Sequence, residues 1–253
     1  MDLNCDMGES FGAYRIGSDA EVMASITSAN VACGFHGGDP AVMRQTIRLA
    51  RDAGVAVGAH PGLPDLVGFG RREMRVSPQD VEDMVLYQIG ALAAIALSEG
   101  VQLQHVKAHG ALYNMAVRDA ALADAIARAV RAFDWALTFF ALPGSELERA
   151  GREAGLTLAS EGFADRAYEP DGSLTPRSRP GAVIHDADSV VRRAVRMAVE
   201  GRVTASDGSE ITLHVDTICT HGDTPGAQHL TRLLRAGLQS AGVQIAPVGR
   251  GGA

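Results

Sequence analysis

The sequence is poor in cysteine and aromatic residues and has no long uninterrupted apolar run. Its three cysteines form neither a CxxC pair nor a Cys/His spacing typical of zinc sites, which argues against a disulfide scaffold. Aromatic residues make up 5% of the chain, too few for a surface that stacks nucleic-acid bases. No stretch is expected to cross a bilayer and no signal-peptide pattern is present, so we predict a cytoplasmic protein without a membrane anchor.

Positive charge is also scarce, and the formal net charge is −7. The long-range field of such a chain repels phosphates, so we expect no nucleic-acid partner and no anionic membrane surface as a partner. An anionic small molecule can still bind in a locally basic pocket. Apolar residues make up 46% of the 253 residues, enough for a large core, and this length suits one α/β barrel or two small domains.

Glycine and proline mark the predicted ends of the helices. A glycine between an apolar helix pattern and the next strand supplies the left-handed backbone that terminates a helix. Such junctions occur at Gly54, Gly100, Gly155 and Gly242. Helix starts are predicted where an N-cap residue precedes proline, at Asp39-Pro40, Ser77-Pro78 and Thr224-Pro225. Ser18 and Glu21 have the spacing of a capping box.

Between the helices lie short apolar segments that we interpret as strands buried on both faces. They are Met1–Asp6, Thr27–Ala32, Val55–His60, His105–His109, Ala136–Leu142, Leu156–Glu161, Asp216–His221 and Val243–Val248. Their alternation with helices predicts a parallel sheet with right-handed crossovers. Seven or eight such units favour an α/β fold with a single closed TIM-like βα barrel over residues 1–248, followed by a frayed tail at 249–253.

Two segments interrupt the alternation without resembling a linker between domains. Residues 202–215 are predicted to form a small hairpin insertion around Asp207-Gly208, a pair typical of a type I′ turn. Phe163–Val183 is too rich in proline, glycine and charge to be a crossover helix.

Polar side chains follow most of the predicted strands. In a βα barrel the loops after the strands gather at one end, where catalytic groups lie. The candidates, in chain order, are Asn4, Asp6, Glu9, His36, His60, Lys107, His109, Asn114, Glu161, Arg166, Arg177, His221 and Asp223. Because histidines concentrate in these loops, the sequence predicts either acid–base catalysis or metal ligation there.

Structural roles are alternatives for several of these residues. Asn4 and Asp6 would also suit hydrogen bonds to loop backbone, and Asp223 would suit a helix cap. His60 before Pro61 would also suit a packed strand end. His105 lies deeper in its strand than Lys107 and His109 and would suit the core.

The motifs around these residues resemble those of the LamB/YcsF family. They are Asp2-Leu3-Asn4-Cys5-Asp6-Met7-Gly8-Glu9, Ala29-Asn30-Val31-Ala32-Cys33-Gly34-Phe35-His36-Gly37-Gly38-Asp39, Gly58-Ala59-His60-Pro61, Lys107-Ala108-His109-Gly110-Ala111-Leu112-Tyr113-Asn114, Glu161-Gly162-Phe163-Ala164-Asp165-Arg166 and Cys219-Thr220-His221-Gly222-Asp223. The resemblance covers residues 1 to about 248 and implies a barrel of the glycoside hydrolase/deacetylase type. It also implies a part in the ATP-dependent opening of 5-oxo-L-proline to L-glutamate, together with partner subunits B and C.

This reaction suggests roles for the candidate residues. Asp6 or Glu9 would be the base, and His36, His60 or His221 would be the acid. His109 is a further catalytic candidate. Cationic groups would hold the anionic substrate, and polar groups around them would complete the binding site. These binding residues are Lys107, Arg166, Arg177, Asn4, Asn114, Glu161 and Asp223.

The sequence contains no GxxxxGK[ST] motif, so ATP, with Mg²⁺, either binds through other groups or is contributed by a partner subunit. The resemblance brings no metal, and none is assigned.

One rival function is a metal-dependent, deacetylase-like amide hydrolase with Asp6, His36, His60 and His221 as ligands. Another is a subunit that binds substrate without catalysis. Assembly into a homo-oligomer is left open.

Overall fold

The computed structural model describes residues 1–221 and 226–249, with His221 described by its backbone alone. The strands of this described part are β1 (Asp2–Met7), β2 (Ser28–Ala32), β3 (Ala56–His60), β4 (Leu103–Val106), β5 (Thr138–Ala141), β6 (Thr157–Phe163), β7 (Arg202–Thr204), β8 (Glu210–Thr212) and β9 (Thr217–His221). Its helices are α1 (Asp19–Met23), α2 (Pro40–Ala53), α3 (Pro78–Ser98), α4 (Gly110–Ala116), α5 (Ala120–Phe133), α6 (Glu146–Glu153), α7 (Ala187–Glu200) and α8 (Ala227–Ser240).

Strands β1 to β6 and β9 form a closed parallel barrel, and helices surround it. Strand β1 closes the barrel because it pairs with β2 on one side and with β9 on the other. In this register Asp6 lies opposite Asn30 of β2 and opposite His221 of β9. The predicted α/β barrel is therefore confirmed, and it has seven strands.

The predicted eighth strand, Val243–Val248, is wrong. Once β1 and β9 pair with each other, no strand edge remains for another parallel strand. This segment instead meets the start of β1. The Met1 ammonium donates a hydrogen bond to the Gln244 carbonyl (2.9 Å), and the Ala246 amide donates to the Met1 carbonyl (3.1 Å). Gly249 is the last described residue, so the frayed tail predicted at 249–253 stays a prediction.

The two faces of strand β1 differ in chemistry, although both are buried. Leu3, Cys5 and Met7 pack with the apolar residues between barrel and helices, as successive side chains of a strand point to opposite faces. Asn4 and Asp6 point the other way, into the barrel, where both accept hydrogen bonds from the Asn30 amide. The barrel interior therefore holds a polar network in place of a purely apolar core.

Most of the predicted helix ends are confirmed. The Asp39 side chain accepts from the first amides of α2, and Ser77 forms a capping box with Asp80 at the start of α3. The four predicted glycine junctions all have φ between 68° and 80°. The Ser18 capping box is wrong, because the Ser18 side chain makes no cap bond. The Thr224 cap lies outside the described residues.

Asp39 provides a test of these local interactions. Its Oδ1 accepts from the Ala41 and Val42 amides and its Oδ2 from the Gly12 amide, so it joins α2 to the loop after β1. We expect Asp39→Ala to lower the free energy of unfolding by about 1 kcal/mol, measured by urea denaturation. The control is Asp52→Ala, in an exposed residue of the same helix, which should stay within about 0.5 kcal/mol of the parent. Equal effects of the two changes would contradict this role.

The two irregular segments occur where the sequence places them. Between Phe163 and α7 the chain forms two isolated bridges, Arg166 with Val183 and Tyr168 with Leu174. Strands β7 and β8 form the predicted antiparallel hairpin. Its turn is not type I′, which needs positive φ at two consecutive residues. Gly208 has φ 87°, whereas Asp207 lies outside the positive region and its side chain accepts from the Ser209 amide.

We expected no segment long enough to span a membrane, and helix α3 contradicts that expectation. Its 21 residues are long and apolar enough by length and composition. One face packs inward through Val81, Val85, Ile89 and Leu92, and the helix contacts β3, β4 and α5. A core helix of a soluble protein passes the same test, so this helix is weak evidence for a membrane. The predicted cytoplasmic location stays a prediction.

Candidate functional site

The candidate residues converge at the carboxyl ends of the barrel strands. Asp6 lies near the end of β1, and His60 is the last residue of β3. Lys107 and His109 directly follow β4, which ends three residues earlier than predicted, and His109 is the N-cap of α4. All four side chains are buried and line one cavity. The convergence predicted from the loops after the strands is therefore present in the fold.

Lys107 connects several elements inside this end of the barrel. Its ammonium donates to Asp6 Oδ1 (2.8 Å) and lies 3.0 Å from Glu161 Oε1. It also lies 2.8 Å from the Cys219 sulfur. Burial alone would lower the pKa of Lys107, but the charges of Asp6 and Glu161 outweigh it and raise that pKa well above its ordinary value. The side chain is therefore a permanent cation held between two carboxylates.

Three histidines and a glutamate form a second cluster beside this network. The rings of His36 and His109 stack with centroids 3.6 Å apart, and His60 lies edge-on to both. The facing nitrogens His60 Nε2 and His109 Nδ1 are 2.9 Å apart. Glu9 Oε1 lies 3.5 Å from His36 Nε2 and 3.6 Å from His109 Nδ1. One atom each from these four side chains lies within 4.8 Å of the others, a grouping able to hold a metal ion.

Burial controls the charge of this cluster. It lowers the pKa of His36 and of His109 well below the ordinary value, and neighbouring histidines add to the effect. Both rings are therefore neutral at pH 7. Neutral rings are poor proton donors, which makes His36 the less suitable of the predicted acids.

Two glycines make room for the histidine cluster. A Cβ atom at Gly62 would lie 2.6 Å from His36 Nδ1, and one at Gly70 would lie 2.6 Å from His36 Cβ. Gly70 also has φ 61°, a conformation that larger residues rarely adopt. The loop after β3 therefore needs glycine at these positions in order to close over His36.

The cavity wall combines carboxylate, imidazole and cationic groups. Its charged members beyond those already described are Arg71, Arg166 and Arg177, and Asn114 lies at its exposed side. The Arg166 guanidinium donates to the Thr175 and Ala182 carbonyls, so it also holds the loop between β6 and α7 in place. These side chains give the cavity the local positive charge that binding of an anion requires.

Other predicted residues lie outside the cavity wall. Asn4 and Glu161 lie beneath Lys107, where the Asn4 amide donates to Glu161 Oε1 (3.1 Å) and to Thr217 Oγ1 (2.7 Å). They support the site from inside the barrel. Glu9 and His36 lie behind the wall formed by His60 and His109. The His221 side chain and Asp223 lie outside the described residues.

Sequence reasoning missed Arg71, which belongs to the loop between β3 and α3. Its guanidinium lies over the Phe69 ring, 4.8 Å from the ring centre, and it lines the cavity. The Gly68-Phe69-Gly70-Arg71 run, soon after His60, was the available indication. His105 occupies the structural position allowed for it, stacked on Phe140 with Nε2 2.7 Å from Asn30 Oδ1. His185, His214 and His229 are exposed, in accordance with their omission from the predicted site.

The fold and the site together define a class: a seven-stranded βα barrel with buried ionisable side chains around a cavity at the carboxyl ends of its strands. Residues 1–252 match the LamB/YcsF family. The chain belongs to this family, as its motifs predicted.

Similar proteins cover nearly the whole chain. The 5-oxoprolinase A subunit of Symbiobacterium thermophilum is 58% identical over 249 residues, which span 98% of this chain and 95% of that protein. The 5-oxoprolinase A subunit of Tolumonas auensis is 57% identical over 245 residues, 97% of this chain and 98% of that one. The crystal structure of the lactam utilization protein from Thermus thermophilus superposes with a TM-score of 0.92 at 52% identity, covering 97% and 98% of the two chains.

Proposed function

We propose that this chain is the A subunit of an ATP-dependent 5-oxoprolinase, which opens 5-oxo-L-proline to L-glutamate together with partner subunits B and C. The observation that carries the proposal is the cavity in which Asp6 and Lys107 face Arg71, Arg166 and Arg177. It offers a base beside several cations, as hydrolysis of an anionic lactam requires. The names and near-complete coverage of the relatives support the substrate and the multi-subunit assembly.

The chemistry explains the need for ATP. Ring opening of an unstrained lactam is uphill, so the lactam oxygen first takes the terminal phosphoryl group of ATP and ADP leaves. Water then adds to the activated carbon and the C–N bond breaks, which frees the amine and leaves an acyl phosphate. A second water releases phosphate and completes glutamate. Each water must lose a proton as it attacks, and the nitrogen must gain one as it leaves.

Among the candidate bases, Asp6 fits these proton transfers best. It lines the cavity, whereas Glu9 lies behind it. Asp6 Oδ1 accepts from Lys107 and from Asn30, at 2.8 Å each, which holds the carboxylate in place and charged. Asp6 takes a proton from water and returns it to the leaving nitrogen.

The cations of the wall suit the anionic parts of the reactants. Arg71 and Arg177 bind the substrate carboxylate and the transferred phosphoryl group, since guanidinium matches both in a bidentate manner. Lys107 is already neutralised by Asp6 and Glu161, so it holds the base and does not bind phosphate. Because the sequence has no phosphate loop, ATP, with Mg²⁺, binds through other groups of the barrel or is contributed by a partner subunit.

This proposal predicts activity that depends on the complete assembly. We expect release of ADP that requires 5-oxoproline when this chain is mixed with subunits B and C, with one glutamate formed for each ADP. Omission of any subunit should abolish both products. The assay couples ADP release to NADH oxidation, and chromatography quantifies glutamate. An inactive complete complex would refute the proposal. Amide hydrolysis by this chain alone, without ATP, would favour the metal-dependent amide hydrolase instead.

A further inference from the structure

The hydrogen bonds of His60 and His109 identify which of their nitrogens carry hydrogen. A carbonyl oxygen accepts and cannot donate, so His60 Nδ1 donates to the Lys107 carbonyl (2.8 Å). In the same way, His109 Nε2 donates to the Phe69 carbonyl (2.8 Å). The other two nitrogens, His60 Nε2 and His109 Nδ1, are therefore the ones that can offer a lone pair to a further partner. These two atoms face each other 2.9 Å apart, so either a proton or a metal ion must lie against them.

Further electron-pair donors lie close to these two nitrogens. Glu9 Oε1 lies 3.6 Å from His109 Nδ1, and Asp6 Oδ2 lies 3.2 Å from His60 Nε2. Neither ring nitrogen of the fully buried His36 has a hydrogen-bond partner within residues 1–221 and 226–249, and its Nε2 lies 3.5 Å from Glu9 Oε1. The imidazole and carboxylate donor atoms of Glu9, His36, His60 and His109 thus lie within 4.8 Å of one another.

We propose that Glu9, His36, His60 and His109 bind a single divalent transition-metal ion of the zinc type. Neighbouring ligands at about 2.0–2.1 Å from a tetrahedral ion of this type are about 3.3 Å apart. The separations here are 2.9 Å between the facing histidine nitrogens and 3.5 and 3.6 Å from Glu9 Oε1 to His36 Nε2 and His109 Nδ1. Three imidazoles favour a first-row transition metal over Mg²⁺, which prefers oxygen ligands. Carbonyls that accept from the outer nitrogens of His60 and His109 orient the rings, as second-sphere partners do in metal sites.

This ligand set differs from the one considered in the rival sequence interpretation. Glu9 and His109 take the place of Asp6 and His221, because the ligand atoms of Glu9, His36, His60 and His109 lie within 4.8 Å of one another. Asp6 Oδ1 is held by Lys107 and Asn30, and the His221 side chain lies outside the described residues. His60 and His109 separate the ion from the cavity by one layer of side chains that also forms its wall. An ion here would polarise a carbonyl or water that reaches it through the wall. That contribution rests on the proposed function, whereas binding of the ion does not.

Metal binding can be measured on the isolated full chain without ATP, 5-oxoproline or partner subunits. The protein is stripped with a chelator, returned to buffer and titrated with Zn²⁺ or Co²⁺ by calorimetry. We expect one ion per chain, a raised Tm and, with Co²⁺, visible absorption of a nitrogen-ligated ion. Excess Mg²⁺ should not compete. Because turnover is not measured, failure here and failure of the proposed function are distinguishable.

Matched variants connect binding to these side chains. We expect His60→Gln and Glu9→Gln to weaken Zn²⁺ binding by at least about 100-fold, while His185→Gln, at an exposed histidine, leaves it unchanged. Circular dichroism verifies that each variant is folded. If a variant does not fold, the rise in Tm that Zn²⁺ causes in the parent protein is the measurement that remains. A folded parent that binds no more Zn²⁺ than a His60→Gln/His109→Gln double variant would overturn the proposal, since a proton shared by the two histidines would then supply the charge.

Discussion

Replacement of Asp6 with asparagine is expected to lower 5-oxoproline-dependent turnover of the complete complex by about 10²–10⁴-fold. The change removes the base but keeps the shape of the side chain. Its oxygen can still accept from Lys107 and Asn30, which bond to Asp6 Oδ1 in the parent. The fold and the assembly with partner subunits should therefore persist.

The measurement is the steady-state rate of glutamate formation at saturating 5-oxoproline and ATP, with gel filtration as the check on assembly. Asp188→Asn, at an exposed residue of α7, is the control and should keep full activity. If Glu9→Gln lowered the rate as much while Asp6→Asn left it near normal, the roles of the two acids would have to be exchanged. A tenfold or smaller loss in Asp6→Asn would mean that Asp6 positions groups and is not the base.

Replacement of Lys107 with methionine should have the largest effect on stability. Methionine fills similar space, but it leaves the buried carboxylates of Asp6 and Glu161 without their shared cation. Loss of one partner from a buried ion pair costs about 3–5 kcal/mol. For a chain of this size the Tm should fall by about 6–20 °C, at roughly 2–4 °C per kcal/mol.

A double-mutant cycle separates this charge effect from lost packing. Glu161→Gln keeps the shape of the side chain and removes one of the two charges, so we expect it to restore part of the stability of Lys107→Met. Arg152→Met, which breaks the exposed pair with Glu148, should cost at most about 1 kcal/mol. Strictly additive effects of the Lys107 and Glu161 changes, measured by thermal unfolding, would contradict a shared ion pair.

Lys107 is the only lysine in the sequence and is 2% exposed, which gives an independent readout. An amine-specific acylating reagent should modify the folded protein at its N-terminus and reach Lys107 only after unfolding.

Lys107 also illustrates how much of the site the sequence could indicate. Its position after a strand placed it in the site, but its neighbours Asp6 and Glu161 come from distant parts of the chain, and only barrel closure brings them together.

The sequence by itself determined the barrel class, most helix ends and the ring of polar loops, because these depend on short-range patterns. Glycines with positive φ and N-cap residues act within one turn of a helix, and alternation of strands with helices implies a parallel sheet. The number of strands was not determined in this way. Val243–Val248 is apolar enough for a strand, but β9 already occupies the edge of β1.

Only the tertiary structure decided how the polar residues divide into groups. The sequence placed Asp6, Glu9, His60 and His109 in one set of catalytic candidates. Barrel closure assigns Asp6 to the Lys107 network and gathers Glu9 with the histidines, because distances between loops depend on strand register and on the glycines that let the loop after β3 approach His36. The orientation of the side chains also depends on the tertiary structure. Hydrogen bonds to backbone carbonyls orient the rings of His60 and His109, and no pattern of residue types contains that information.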